Sequence, residues 1–371
     1  MDQGAVDTTA ARRRASSAAP ARADRTPRRP RLGLELTVIG LAGALLAVGV
    51  WAGVGALYRE FYSPTAFVER YLSLLSEGRA AEALGVAGVA VDSAELEAAG
   101  LPPTASDALL RRDALAPLTD VEVVSEATSD SITRVTVDYR AGDVSGRTTF
   151  DVERDGQIGV IPTWRFAESP LAIVDLVVKG AMEFQVNGFE IDKRQVSPDG
   201  VDAEPLAPLA LLVFSPGIYS VSVETAISST PGVAVLSDSP FSAVAVDVQA
   251  QPTDEFVAVV QERVDEFLDG CATQEVLQPT ACPFGFYVQE RIASLPTWSI
   301  AQRPAITVEP DGAGWVIPPT EAVAHIEVAI RSLFDGSVRP VSEDVPFLLT
   351  AQITVQPDGR ATIVVGGAEA E

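Results

Sequence analysis

Two cysteines are the residues of this sequence with the clearest chemical potential. Cys271 and Cys282 lie eleven positions apart, and Cys282 directly precedes Pro283. A bond between them would close a short loop and destabilise the unfolded chain by about 3 kcal/mol. The alternative is a redox pair or a metal site. A redox pair usually has closer spacing, and a metal site would need more ligands than one histidine can add. We therefore predict a structural disulfide, and neither a metal nor a cofactor site.

The single histidine is the next candidate. His325 lies in the segment Ala-Val-Ala-His-Ile-Glu-Val, where a strand would place it on one face with Glu327 and Arg331. This predicts a solvated or salt-bridged surface residue, and the alternative is a general base in a pocket. The sequence contains no nucleophile elbow, no Ser-x-x-Lys, no His-Glu-x-x-His and no glycine-rich phosphate loop. No catalytic residue is therefore predicted.

Aromatic and acidic residues offer two further candidates. Trp164, Trp298 and Trp315 could stack on sugars or glycan strands, although tryptophans at strand positions more often pack in a core or between domains. Residues 199–204, Asp-Gly-Val-Asp-Ala-Glu, are the densest acidic group. They lack the ligand spacing of a calcium-binding EF-hand loop, so we expect a solvated turn.

Composition limits the function classes. The chain has 371 residues, with 51 acidic against 27 basic residues and a formal net charge of −24. Nucleic-acid binding is disfavoured because it needs a dense basic surface. An apolar content of 47% excludes a largely disordered chain. The length predicts two or three domains.

The charge is unevenly distributed along the chain. Residues 1–35 hold eight arginines and four acidic residues, a net charge of +4, which leaves −28 for residues 36–371. Residues 36–58 are an uncharged run of 23, with Trp51 and Tyr58 toward its end. As a helix the run would be about 34 Å long, enough to cross a hydrocarbon core of about 30 Å. This predicts one transmembrane helix rather than a buried core helix.

The arginine-rich tail gives the predicted orientation. Basic residues favour the cytoplasmic side, so residues 1–35 are expected in the cytoplasm and the chain after Arg59 outside, in a single-pass plasma-membrane protein. A cleaved signal peptide is the alternative, but the apolar run exceeds the usual length of about 7–15 residues, which favours a signal anchor. The tail has few large apolar residues and is predicted to be disordered. Two roles are open for its arginines: they bind anionic lipid or a cytoplasmic partner, or they serve only to set the membrane topology.

Residues 59–168 are predicted to form an α+β domain. Ser63 can cap a helix that Gly78 ends, and a second short helix follows at Ala80–Leu84. Farther along, apolar and polar residues alternate, which predicts antiparallel strands with a hairpin near Gly142–Gly146 and a turn at Asp155–Gly156.

Residues 169–251 are predicted to form a small all-β domain. Short apolar runs are separated by turn signals at Asn187–Gly188, Asp199–Gly200 and Pro216–Gly217. Alternation over several strands gives one buried and one solvated face, which is typical of a small sandwich.

Residues 252–371 repeat the element order of the first domain. Thr253 can cap a helix that ends at Gly270. Ala322–Phe334 is ambiguous between helix and strand, and a strand is favoured because a hairpin turn follows it. The predicted turns are Asp311–Gly312, Asp335–Gly336 and Asp358–Gly359. The predicted fold class is α+β, with one N-terminal transmembrane helix and two α+β units flanking a small all-β unit.

Two segments carry a family resemblance. The motif Phe67-x-x-x-Tyr71-x-x-Leu74-Leu75-x-x-Gly78, before a short helix and a sheet, resembles the NTF2-like (cystatin-like) α+β family found outside many single-span bacterial proteins. This implies two NTF2-like domains, at 59–168 and 252–371.

The middle segment carries the second resemblance. Val186-Asn187-Gly188 and the run from Phe214 to Tyr219 are similar to the small β-domains of TcaA-like envelope proteins, and the predicted domain order resembles theirs. The chain departs from them in having no cysteine in residues 1–35, so their zinc head does not carry over. Two lysines among 27 basic residues suggest a GC-rich genome, as in actinobacteria.

The expected function is that of a non-enzymatic, membrane-anchored cell-envelope protein, acting outside the cell as a scaffold, sensor or binding module. The alternatives are an NTF2-like pocket that binds or acts on a small ligand, and an accessory subunit of an envelope transport or division complex. The expected partners are the lipid bilayer and an envelope protein or cell-wall component. No nucleic acid is expected, and the sequence leaves the oligomeric state open.

Overall fold

The computed structural model describes residues 32–159, 161–356 and 360–368. The chain divides into two compact units, Met1–Leu57 and Tyr58–Glu371. Most of the predicted arginine-rich tail and the last of the predicted Asp-Gly turns fall outside the described residues.

The first helix, α1, spans the 31 residues Leu32–Tyr62. Seven apolar side chains along it are 63–83% exposed: Ile39, Leu41, Leu45, Leu46, Val48, Val50 and Trp51. Among the described residues, no helix combines the length and the apolar character needed to cross a bilayer. The predicted transmembrane helix over residues 36–58 is therefore unsupported.

We describe the larger unit by its three predicted segments, which we call the first lobe (59–168), the middle lobe (169–251) and the third lobe (252–371). These domain boundaries remain a prediction. The mixed α+β fold class, rich in strands, is confirmed.

The first lobe places three helices before a four-stranded antiparallel sheet in the order β1-β2-β3-β4. The helices are α2 (Pro64–Ser76), α3 (Ala80–Leu84) and α4 (Ser93–Ala98), and the strands are β1 (Leu118–Ser129), β2 (Ile132–Ala141), β3 (Val144–Ile158) and β4 (Ile161–Phe166).

Local signals explain where α2 begins and ends. The Ser63 side chain accepts a hydrogen bond from the backbone N–H of Ala66 at 3.0 Å, and Pro64 occupies the first turn. Gly78 follows the helix with φ +68°, a conformation that favours glycine. Both predicted signals are therefore confirmed.

The turn predicted at Asp155–Gly156 is wrong. Strand β3 continues to Ile158, and the ladder with β4 is shifted between Arg154 and Gly156. Gly156 takes part in a bulge, and the hairpin turns at Gly159, whose φ is +66°.

The middle lobe contains two sheets, as a sandwich requires, of five strands in the order β12-β10-β9-β6-β7 and three in the order β11-β5-β8. Its elements are β5 (Leu171–Lys179), β6 (Glu183–Val186), β7 (Phe189–Asp192), α5 (Lys193–Val196), β8 (Leu209–Phe214), β9 (Gly217–Glu224), β10 (Ser228–Ser237), β11 (Ala243–Gln249) and β12 (Gln251–Pro252). The predicted hairpin turn at Asn187–Gly188 is confirmed by the pairing of Val186 with Phe189.

Strand β5 is buried on both faces. Leu171 and Ile173 pack into the core of the first lobe, while Ala172 and Val174 pack into the core that the middle and third lobes share. All four side chains are at most 2% exposed. The three-stranded sheet is therefore a wall common to two cores.

The third lobe consists of one long helix and a six-stranded sheet. Its elements are α6 (Asp254–Ala272), β13 (Arg291–Ile292), β14 (Thr297–Gln302), β15 (Glu309–Asp311), β16 (Gly314–Arg331), β17 (Val338–Val355) and β18 (Ala361–Ala368). Thr253 caps α6 as predicted, by accepting from the N–H of Phe256 at 3.2 Å. The predicted end at Gly270 is wrong, because α6 continues through Cys271 to Ala272.

Candidate functional site

A long hairpin of the third lobe brings together three side chains that can do acid–base chemistry. His325 Nδ1 lies 2.6 Å from Oδ1 of Asp344, and its Nε2 lies 3.1 Å from Oγ of Ser342. The His325 side chain is 29% exposed and that of Asp344 is 67% exposed. Both ring nitrogens thus have a polar partner, in the order serine, histidine, aspartate.

The strand register positions these groups. In the ladder of β16 with β17, His325 lies opposite Asp344, and Glu327 lies opposite Ser342. Their neighbours Ala324 and Ile326 are fully buried, so alternation turns His325 toward solvent. On the other side of β16, Ser299 of β14 lies opposite His325. The side chains of β16 and β17 form a polar patch, and Ser299 lies beside this patch without bonding to its members.

Sequence reasoning missed two members of this cluster. It placed His325 on a face with Glu327 and Arg331, along one strand. The partners instead come from the next strand, 17 and 19 residues farther along the chain. The available signal was the turn at Asp335–Gly336, because a hairpin turn sets the register and hence the cross-strand pairs.

The two cysteines lie at disulfide-bond distance, with 2.06 Å between their Sγ atoms. Cys271 lies in the last turn of α6 and is 2% exposed. The side chain of Gln274 accepts from the N–H of Thr280 at 2.8 Å and donates to its carbonyl oxygen at 3.2 Å. The loop between the cysteines is therefore held by the disulfide and by this amide.

The three tryptophans are not brought together. Trp298 is 5% exposed and donates to the carbonyl oxygen of Val276 at 2.8 Å, and Trp315 is 2% exposed beside Gly180 of the middle lobe. Trp164 is partly buried and donates to the carbonyl oxygen of Tyr62 at 2.8 Å. Two of the rings thus lie in the core, and their predicted role as stacking surfaces remains a prediction.

A buried lysine binds the backbone at the end of the acidic segment that was predicted to be a solvated turn. The ammonium group of Lys193, a residue only 3% exposed, donates to the carbonyl oxygens of Glu204 at 2.7 Å and Pro205 at 2.9 Å, and to that of Ala207. Burial lowers the pKa of Lys193. Within the described residues, no cluster of acidic, histidine or cysteine side chains is arranged to hold a metal ion.

The core of the first lobe is filled by aromatic rings. Phe166 packs against Phe67, Tyr71 and Phe150 with ring centroids 5.0–5.6 Å apart. The hydroxyl of Tyr71 donates to the carbonyl oxygen of Ser215 at 3.1 Å, and burial holds its pKa well above the ordinary value. The space between α2 and this sheet therefore leaves no room for a ligand at the cluster.

The third lobe instead has a groove beside α6. Its cavity volume is about 590 Å³, and its apolar lining includes Val259, Phe267 and Ile363. Glu255 and Arg263 supply its charged groups. A groove of this size and lining can accommodate an apolar ligand.

Comparison with known proteins gave no relatives: no protein-family model matches the chain, and neither a curated protein nor a solved structure matches it.

Proposed function

We propose that the chain is a membrane-anchored protein of the cell envelope, with residues 1–35 in the cytoplasm and residues 59–371 outside as a scaffold or binding module. The observation that carries this proposal is the exposed apolar surface of α1. At 100° per residue, the seven exposed side chains from Ile39 to Trp51 point in directions all around the helix. Apolar side chains exposed in many directions favour apolar surroundings for this segment.

Charge supports a bilayer as those surroundings. The segment before the apolar run carries +4 and the chain after it −28. Arginines on one side of an apolar helix favour the cytoplasmic side, and the acidic remainder stays soluble. The cysteine pair also supports this location, since disulfides persist in oxidising compartments.

The filled core of the first lobe supports binding by a surface rather than by a deep pocket. The element order of that lobe, short helices followed by an antiparallel meander, is compatible with the proposed NTF2-like resemblance. Sheet faces and loops of the larger unit would then contact an envelope protein or a cell-wall component. This role requires no catalytic residue.

The anchor is tested by membrane fractionation of cells that express the full chain. Wild-type protein should stay in the membrane pellet through alkaline carbonate extraction, and added protease should reach residues 59–371 in spheroplasts. Leu45→Asp combined with Val48→Asp should release the protein, because charged side chains at the centre of a span are costly. Val124→Asp, at a site 49% exposed in the first lobe, is the matched control. Release of the wild-type chain by carbonate would refute the anchor.

The partner is tested by crosslinking in intact cells. A benzoyl-phenylalanine residue placed at exposed positions of the larger unit should capture one recurrent envelope protein or glycan fragment. Crosslinks that are random in mass at every position would contradict a scaffold role.

A second candidate function is the binding of a small apolar ligand, favoured by the groove beside α6. The neutral probe N-phenyl-1-naphthylamine should gain fluorescence with the full chain in detergent-free nanodiscs. Val259→Asp should weaken this signal, because it places a charge in the apolar lining. Val364→Asp, at an exposed site on the same strand as Ile363, is the control. Equal signals from the two variants would exclude the groove.

A further inference from the structure

We propose that Ser342, His325 and Asp344 form a hydrolytic site that cleaves short, uncharged acyl esters, with Ser342 as the nucleophile. This activity is independent of the proposed anchoring and binding role. It rests on the serine–histidine–aspartate chain across β16 and β17, which is recognised by geometry because such triads recur on unrelated folds without a common motif.

The hydrogen bonds define the proton positions. An ionised carboxylate can only accept, so the 2.6 Å contact with Asp344 places a proton on Nδ1 of His325. In the neutral ring Nε2 is then an acceptor, and it faces Oγ of Ser342 at 3.1 Å. A nucleophile within reach of a base that a third group orients is the arrangement that activates a hydroxyl.

The site is open to substrate. Ser342 and Asp344 are exposed, and the outer edge of β17 from Val338 to Phe347 pairs with no strand in the described part of the chain. In an antiparallel strand every second backbone N–H points to the outer edge. These N–H groups are available to bind the oxyanion of an ester that approaches along this edge.

The charges on the patch define the substrate class. Glu327 lies opposite Ser342, and Asp344 follows two residues later on the same face. Two carboxylates disfavour an anionic ester, whereas an uncharged ester experiences no such repulsion. The open, flat surface favours a short acyl group, since it offers no pocket for a long one.

The reaction has two steps, transfer of the acyl group to Ser342 and hydrolysis of the acyl-serine. Oγ of Ser342 attacks the carbonyl carbon while Nε2 of His325 takes its proton. The bond to the leaving alcohol then breaks, and that alcohol takes the proton from Nε2. Water next attacks the acyl-serine, giving a proton to Nε2. The acyl–Oγ bond breaks, the carboxylic acid leaves, and Ser342 regains its proton.

Labelling with a fluorophosphonate tests the nucleophile. The full chain in detergent should become phosphonylated at Ser342, with loss of fluoride, as located by peptide mass spectrometry. Ser342→Ala should abolish the label, and His325→Gln should slow labelling about 100-fold, the contribution of a general base. Ser299→Ala is the matched control, because Ser299 lies opposite His325 on the other neighbouring strand. Labelling of Ser342 no faster than of Ser299 would overturn the proposal.

Hydrolysis of 4-nitrophenyl acetate separates serine catalysis from catalysis by the imidazole alone. The wild-type chain and Ser299→Ala should release nitrophenolate at equal rates, and Ser342→Ala should lose the activity. Activity that survives in Ser342→Ala but disappears in His325→Gln would show that the histidine acts without the serine, and would also overturn the proposal. All variants are at exposed or half-exposed sites, and an unchanged thermal midpoint verifies that they fold.

Discussion

The first and third lobes begin with the same kind of helix, but they differ in how the space beside that helix is packed. Each begins with a capped amphipathic helix, α2 or α6, followed by antiparallel strands. In the first lobe, aromatic rings close the space between helix and sheet. In the third lobe, the space beside the helix stays open as a groove.

The difference shows that element order does not decide whether such a lobe has a binding site. The side chains that line the two spaces differ in size. Four aromatic side chains meet in the first lobe, whereas the groove of the third lobe is lined largely by Val, Ile and Ala. The third lobe also contains the disulfide, and it carries the polar patch on the solvent-facing side of its sheet.

Truncating one aromatic ring in each lobe should give the largest difference between the two lobes in the loss of unfolding free energy. Phe166→Ala removes a side chain that is 1% exposed and should lower the free energy of unfolding by about 3–5 kcal/mol. Phe267→Ala, in the groove lining, should cost about 1 kcal/mol, because that ring is only partly buried. Urea denaturation measures both. Equal losses would show that the two lobes are packed equally tightly.

Loss of the disulfide should affect the third lobe almost as strongly. Cys271→Ser with Cys282→Ser frees the loop in the unfolded chain and should cost about 3 kcal/mol. The wild-type chain under reductant should reach the same denaturation midpoint as the double variant. A midpoint that reductant leaves unchanged would contradict a stabilising cross-link.

Alkaline pH should weaken the first lobe through Tyr71. Burial raises its pKa above the ordinary value of 10.0, so the unfolded chain releases this proton first. The stabilisation is complete below about pH 10 and falls by about 1.4 kcal/mol per pH unit above it. Tyr71→Phe should remove that part of the slope, measured as urea midpoints at pH 8 and 11. At pH 8 the same variant should lose only one hydrogen bond, about 1 kcal/mol. A slope that the variant leaves unchanged would contradict this role.

Removing a helix cap should have the smallest effect on the free energy of unfolding, and this effect should be the same in both lobes. Ser63→Ala and Thr253→Ala each remove one acceptor for a backbone N–H and should cost about 1 kcal/mol. Aspartate at either position should restore most of the loss, because it also caps. A cap effect present in only one lobe would show that the two leading helices contribute differently.

Local signals in the sequence predicted much of the fold. Helix ends were predicted correctly from Ser63, Gly78 and Thr253, and one hairpin turn from Asn187–Gly188. Each of these residues acts only through its own backbone and its near neighbours in sequence. The strand favoured for Ala322–Phe334 is confirmed up to Arg331.

The sequence did not predict the features that depend on pairing between strands far apart in the chain. Strand β1 is exposed along most of its length, so it lacks the alternating pattern of a half-buried strand. The parallel pairing of β5 with β11 joins segments that are about 70 residues apart in sequence. The contact of His325 with Ser342 depends on the register of a hairpin with 18-residue strands, which no single strand segment reveals.

The three-stranded sheet shared by the two cores also determines when the first lobe can complete its core during synthesis. Leu212 and Phe214 of β8 belong to the core of the first lobe, and Tyr71 bonds the carbonyl oxygen of Ser215 just after them. A ribosome delivers the chain from its N-terminus, so the strands β1–β4 are complete before these residues exist. A nascent first lobe therefore holds its aromatic cluster partly uncovered until β8 has emerged. Arresting translation between Phe166 and Leu209 should leave that lobe protease-sensitive, and it should become resistant once β8 and the end of the middle lobe have emerged.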